Sequence, residues 1–178
     1  MITIEIDDRE IQTALNQLAD QVENLRPVLA DIGEYLIQST KSRFATGTAP
    51  DGSPWARNSE VTIGRYLDRY RGSRKKDGSL SKRGQARAAA KKPLIGETKR
   101  LSGEIAPRVG PDTVEVGSAL EYAAVQQFGA RRGAFGRTRR GAPIPWGDIP
   151  PRPFLGISDG DREEILAIIA ERLERAMK

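Results

Sequence analysis

The first six residues alternate, with Ile2, Ile4 and Ile6 on one side and Thr3 and Glu5 on the other, which is the period of a half-buried strand. Asp7 or Asp8 suits the N-cap of a helix that follows. Ile11, Leu15, Leu18, Val22 and Leu25 then recur at spacings of four and three, predicting a helix of about four turns with one buried face. Pro27 fits the first turn of a second helix carrying Leu29, Ile32, Leu36 and Phe44. Gly47 and the Pro50-Asp51-Gly52 turn stop it.

From Gly64 to Lys92 the helical stripe disappears. The run from Ser73 to Gly84 is polar, basic and glycine-containing, with too little apolar surface to hold itself, so residues 64–92 read as a mobile basic insertion. Within it, Gln85 to Ala90 is able to form a short helix. Ile105, Pro107 and Val109, a Gly110-Pro111-Asp112 turn, then Val114 and Val116 predict a hairpin, with Pro107 at an edge or a bulge. Glu121 to Phe128 predicts a short helix with a Tyr122/Val125/Phe128 face, closed by Gly129. An arginine- and glycine-rich loop comes next. The proline-rich runs Pro143 to Trp146 and Ile149 to Gly156 are expected to lie extended along an edge. Ser158-Asp159 opens a last helix with the stripe Ile165, Leu166, Ile169, Leu173 and Met177. The order predicts one α+β domain over residues 1–178, with helices covering one face of a small antiparallel or mixed sheet. Its expected core is Ile4, Ile6, Leu15, Leu18, Val22, Ile32, Leu36, Val114, Val116, Ile165, Ile169 and Leu173.

Charge is spread unevenly along the chain. The formal net charge is +5, but residues 64–100 hold 13 Lys and Arg against 3 acids, and residues 130–140 add 5 arginines and no acid. All other positions together therefore carry a net charge of −10. The body is acidic and two segments are basic, so the pI of about 9.7 does not describe a uniformly basic surface.

Cysteine and histidine are both absent, which removes thiolate chemistry, disulfides, the commonest general base and the commonest metal ligand. No catalytic residue, metal or cofactor is expected. Asp159-Gly160-Asp161 with Glu163 and Glu164 lacks the ligand spacing of a calcium loop and reads as helix capping. Ser39-Thr40-Lys41 and Ser81-Lys82 lie on polar stretches, where a lysine base would not be desolvated. Gly133-Ala134-Phe135-Gly136 has no strand before it and no capped helix after it, so it is no phosphate cradle. Trp55 and Trp146 read as loop anchors rather than exposed hot spots. The longest apolar run, Ile165 to Ala170, is far short of a membrane span, and the first residues lack a signal-peptide pattern, so folding in a cytoplasm is expected.

The basic segments 64–100 and 130–140 permit a nucleic-acid-binding reading. Tyr66 and Tyr70 flank the first of them, but no aromatic residue occurs from Arg71 to Glu121 to stack on bases. The favoured reading is contact with acidic protein surfaces, with Arg131, Arg132, Arg137, Arg139, Arg140, Trp146, Arg74, Lys75 and Lys76 as the candidate partner-contact residues. A nuclease or toxin is more remote, since it would have to work without histidine and cysteine.

Seven short motifs occur in order along the chain. They are Ile2-Thr3-Ile4 with its helix pair, Asp31 to Leu36 leading to Arg43-Phe44, Asp51-Gly52-Ser53-Pro54-Trp55, and Lys92-Pro93-Leu94-Ile95 before Leu101. Val114-Glu115-Val116-Gly117, Tyr122 to Gly129 and Pro151-Arg152-Pro153-Phe154-Leu155-Gly156 complete them. On these the chain resembles the phage virion morphogenesis family, the tail completion proteins of Mu-like and related contractile-tailed phages. Lys99-Arg100-Leu101 stands where that family usually has Gly-Arg-Leu. The resemblance implies a non-enzymatic structural protein of the virion tail or neck, assembled in the host bacterial cytoplasm. It implies a protein that finishes the tail at its head-proximal end and helps join it to the head. It further implies a ring of copies, commonly six-fold, touching tail tube and neck or head-completion proteins, through which DNA passes without specific binding.

Overall fold

Asp8 caps the first helix, α1 (Arg9–Ala19), by accepting from the N–H groups of Glu10 and Ile11, which are two of the donors every helix start leaves unpaired. This computed structural model describes residues 2, 8–20 and 24–177. Of the expected first strand only Ile2 is described, and its N–H donates to the Ser118 carbonyl at 2.9 Å. Ile4, Ile6 and Val22 lie outside the described residues. Helix α1 ends at Ala19, shorter than its stripe predicts, and Leu25 becomes the N-cap of α2 (Arg26–Thr46).

Helix α2 organises the fold. Pro27 stands in its first turn, and Gly47, at φ +78°, ends it in the left-handed conformation that glycine adopts without cost. Its buried residues do not form one stripe, because its two halves serve two cores. The N-terminal half packs Val28, Leu29 and Ile32 with Leu18 of α1 and with Ile165 and Ile169 of α7 (Asp159–Ala176). The C-terminal half puts Ile37 and Phe44 against Trp55, Leu101, Ile105, Ala123, Phe154 and Leu155. Leu36 is accordingly half-buried, and its neighbour Ile37 is the buried one. Leu15, Val114, Val116 and Leu173 are likewise half-buried and pack on the rims of these cores, whereas Met177 is exposed.

The hairpin is present as β1 (Ile105–Val109) and β2 (Val114–Ser118), antiparallel, with Pro107 opposite Val116. Among the described residues β1 pairs with no strand but β2, so Pro107 lies on an edge, where a proline is tolerated. Helix α2 covers one face of the hairpin at Gly33, where a Cβ would stand 3.0 Å from Val114 Cγ2 and 3.1 Å from Pro107 Cβ. The fold class is α+β with a small antiparallel sheet, as the element order predicts.

Residues 64–92 differ from the sequence reading in their helix content. The helical pattern does not end at Gly64, because α3 (Glu60–Asp68), capped by the Ser59 hydroxyl, runs through it and buries Leu67. One inward residue in nine makes no visible stripe. A narrow turn with an Arg74 to Leu80 bridge leads to α4 (Lys82–Ala90), which contains the short helix expected at Gln85 to Ala90. After α5 (Arg100–Gly103) and the hairpin comes α6 (Ala123–Phe128). It faces the opposite way from its apolar pattern, with Ala123 and Gln127 buried and Tyr122 and Phe128 exposed.

Leu18→Ala and Ile169→Ala are each expected to cost about 2–5 kcal/mol, because both side chains are buried in the α1/α2/α7 core. Thermal denaturation checks this, and an unchanged melting temperature in both variants would contradict the packing described.

Candidate interaction surface

The buried polar groups hold the chain's own loops. Arg43, on the inward side of α2, donates to the carbonyls of Phe154 and Gly156 at 3.1 and 2.8 Å and pairs with the carboxylate of Asp161. Asp161 also accepts from the Ser39 and Tyr35 hydroxyls and closes a capping box with Ser158 at the start of α7. The Asp159 to Glu164 run is therefore a helix cap, as read from its spacing. Burial by itself pushes the Asp161 pKa up, but the hydrogen bonds from Ser39 and Ser158 and the Arg43 charge outweigh it, leaving the group below its ordinary value. Burial pushes the Arg43 pKa down, against the opposing pull of Asp161. Tyr35 is raised, chiefly by burial and then by the Asp161 charge.

Gln127 acts as a clamp one helix away. Its Oε1 accepts from the N–H groups of Phe154 and Leu155 at 2.9 and 3.0 Å, and its Nε2 donates to the Leu155 carbonyl at 3.0 Å. One amide thus pairs three backbone groups of a proline-rich segment that has no sheet partner among the described residues. This explains the reversed face of α6. Trp55 is a loop anchor, as expected: it is buried edge-on against Phe44 and donates from Nε1 to the Pro153 carbonyl at 2.7 Å.

Residues 130–149 form a stitched two-limbed ribbon rather than an open loop. Ala130 and Ile149 exchange N–H to carbonyl bonds at 2.9 and 2.7 Å at its base. Further out, Gly133 N donates to Pro145 O, Phe135 N to Ile144 O, Ile144 N to Gly136 O, and Thr138 N to Ala142 O. At the base Gly129, at φ +74°, is required, since a Cβ there would lie 2.6 Å from the Ile149 carbonyl oxygen. The returning limb, Pro143 to Trp146, therefore pairs with residues 133–138 and not with the edge of the hairpin sheet.

The ribbon gathers most of the candidate residues. Arg131, Arg132, Arg137, Arg139 and Arg140 are all exposed, and none forms an ion pair among the described residues. Arg137 donates only to the Gly141 carbonyl, at 2.9 Å. Alongside them Trp146 is 68% exposed, Phe135 56% and Ile144 38%, and Phe128 of α6, just before the ribbon, is 63% exposed. Trp146 is therefore no buried anchor, and the Arg65 guanidinium lies over its ring, 5.9 Å from the centroid. Proline and glycine neighbours make anchor and hot spot look alike in sequence, and only the turn of the chain separates them. Arg74, Lys75 and Lys76 are exposed on a separate turn, where Arg74 is tied to Asp68 at 3.0 Å. The tyrosines beside that turn are engaged internally. Tyr66 and Tyr70 pack edge to face at 5.1 Å, Lys91 lies over Tyr66, and Arg87 lies over Tyr70.

The ribbon thus places exposed aromatic side chains beside arginines that form no ion pair among the described residues, the residue types that carry most of the energy where proteins meet. The family model described as the phage virion morphogenesis family matches residues 6–174, and the chain belongs to that family. It is thus a phage structural protein with a part in building the virion. The chain is similar to the putative capsid assembly protein G of Escherichia phage Mu, 26% identical over 182 residues covering 99% of this chain and 97% of that protein. It is similar also to the Mu-like prophage FluMu G protein 2 of Haemophilus influenzae, 26% identical over 179 residues covering the whole of both. No solved structure matches the chain significantly. Among the described residues, no helix is long and apolar enough to cross a membrane.

Proposed function

We propose that this protein completes the phage tail at its head-proximal end and helps join tail to head, without catalysis, as a ring of identical copies in the tail or neck of the virion. The observation that carries the reading is the 130–149 ribbon, which presents Trp146, Phe135 and Ile144 beside 5 arginines that no acid of the described chain neutralises. Large exposed apolar side chains next to unpaired guanidinium groups suit a protein interface, because aromatics and arginine carry most of the energy in such contacts. The acidic remainder of the chain is the complementary partner for head-to-tail contact between copies, and neck and tail-tube proteins are the other partners. An acidic lining also lets DNA pass without sticking.

Sedimentation and electron micrographs of the purified protein test the ring. A closed particle at one fixed multiple of 19.5 kDa is the expected result. A chain that stays at 19.5 kDa at every concentration, and that is missing from the neck of purified tails, would overturn it. A strong DNA affinity that falls steeply with salt would favour the nucleic-acid alternative through residues 64–100 and 130–140.

A further inference from the structure

A cleft of about 520 Å³ lies beside the start of α3, between the 91–101 segment and residues 148–152, and the tail-end reading makes no use of it. Leu94, Ile95, Leu101, Ile149 and Pro150 supply its apolar lining and Tyr122 its aromatic. Its cations are Arg57, Lys91, Lys92, Arg100 and Arg152, of which Arg100 pairs with Glu104 and Lys92 donates to the Ala45 carbonyl. Arg152 is the informative residue. It is only 7% exposed, its Nε and Nη2 donate to the carbonyls of Ala56 and Arg57 at 2.8 and 3.0 Å, and its Nη1 has no partner among the described residues. No carboxylate pairs with it there, in contrast to Arg43, which is equally buried and faces Asp161. A desolvated guanidinium without a counter-ion is costly, and the open cleft is the route by which one can arrive.

The surroundings are set for such a group. Arg57 is exposed and forms no ion pair among the described residues. Lys91 is held over Tyr66, 5.0 Å from the ring centroid, and donates to the Ile95 carbonyl, so its charge is fixed at the cleft wall. The one acid in the lining, Asp148, already accepts from the Arg132 N–H at 2.7 Å. Leu94 at φ +58° and Lys99 at φ +51° hold the 94–99 wall in left-handed conformations that residues with side chains rarely adopt.

We propose that this cleft binds an extended acidic peptide segment of a partner protein, with a carboxylate set against Arg152 and Arg57 and an adjacent apolar side chain laid on Leu94 and Ile95. The chemistry favours a peptide over nucleic acid. A phosphate backbone is met by a row of cations along an open surface with a series of aromatic faces to stack on, whereas these cations converge on a pocket with an aliphatic wall and a single lining aromatic, Tyr122. Carboxylates are bound well by guanidinium forks, and the aliphatic wall adds selectivity for what stands beside the acid. This inference does not depend on the ring or on the position in the tail.

The test is an array of acetylated hexapeptides, each with one glutamate and one leucine at spacings from one to four, beside twins in which glutamine replaces the glutamate. Because Arg152 also holds two carbonyls, the variants are Arg57→Glu, on the exposed rim, and Leu94→Asn, which removes the apolar wall with a residue that tolerates positive φ. The wild-type chain is expected to retain a preferred spacing of the acidic peptides about tenfold more tightly than their glutamine twins. Arg57→Glu should lose that preference and Leu94→Asn should weaken the acidic and glutamine peptides alike, both with an unchanged circular dichroism spectrum, and amide shifts on peptide addition should map to residues 57–59, 91–101 and 148–152. Equal retention of acidic and glutamine peptides, variants that bind as wild type, or a short DNA duplex that displaces the peptide from those same amides would each overturn the proposal.

Discussion

Arg43→Met is expected to lower stability by about 3–5 kcal/mol, the largest effect of any single substitution outside the apolar core, because it strands the Asp161 carboxylate in a buried site. For a chain of this size that corresponds to a fall in melting temperature of about 10 °C or more. Arg43 also holds the Phe154 and Gly156 carbonyls, so the proline-rich strand in front of α7 should loosen with it. The double variant Arg43→Met with Asp161→Asn should recover part of the loss, since no unpaired charge remains. The same pair sets an acid limit. The Asp161 pKa lies below its unfolded value, so its contribution is fully present above about pH 4 and is lost as pH falls through the folded value. Acid unfolding of Asp161→Asn should therefore be shallower than that of the wild type below about pH 4. Equal acid sensitivity of the two proteins would contradict the network.

Replacing Arg131, Arg132, Arg139 and Arg140 by serine should leave the melting temperature unchanged and sharply reduce the yield of head-joined particles. All four side chains are exposed and unpaired among the described residues, and the ribbon that carries them is held by backbone bonds that serine does not disturb. Exposed changes away from structural contacts usually shift stability by less than about 0.5 kcal/mol. A docking surface is different: each guanidinium that meets a carboxylate in a desolvated contact contributes far more than it does in water. Trp146→Ala should act in the same direction, as it removes the largest exposed apolar side chain of the ribbon. Long or unjoined tails should accumulate. If the serine variant loses a salt-sensitive DNA affinity while tails mature normally, the ribbon serves nucleic acid and not assembly.

What the amino-acid pattern revealed, and what it hid, follows from the range of the interactions. The Gly47 stop, the hairpin around Gly110 and the Ser158 cap are local signals and are found where the pattern places them. The ribbon's arginines were visible as composition, but its pairing was not, because Phe135 and Ile144 meet through backbone atoms. The Arg43 to Asp161 pair spans 118 residues and leaves no periodic trace. Its one signal was an ionisable residue at helical spacing from Thr40 and Ile37, on a face otherwise buried. Gln127 misled in the opposite sense, since a polar residue took the inward place and turned the apolar side of α6 to solvent. Helix α2, buried on two sides, shows no single stripe, so a one-stripe pattern selects Leu36 in place of its buried neighbour Ile37.

Electron micrographs of particles assembled in host cells without this protein test its place at the junction of tail and head. DNA-filled heads of normal shape and separate tails of abnormal or variable length are expected, restored to joined virions by the wild-type chain and not by the four-serine variant. Normally joined tails, or cells in which capsids themselves fail to form, would contradict it.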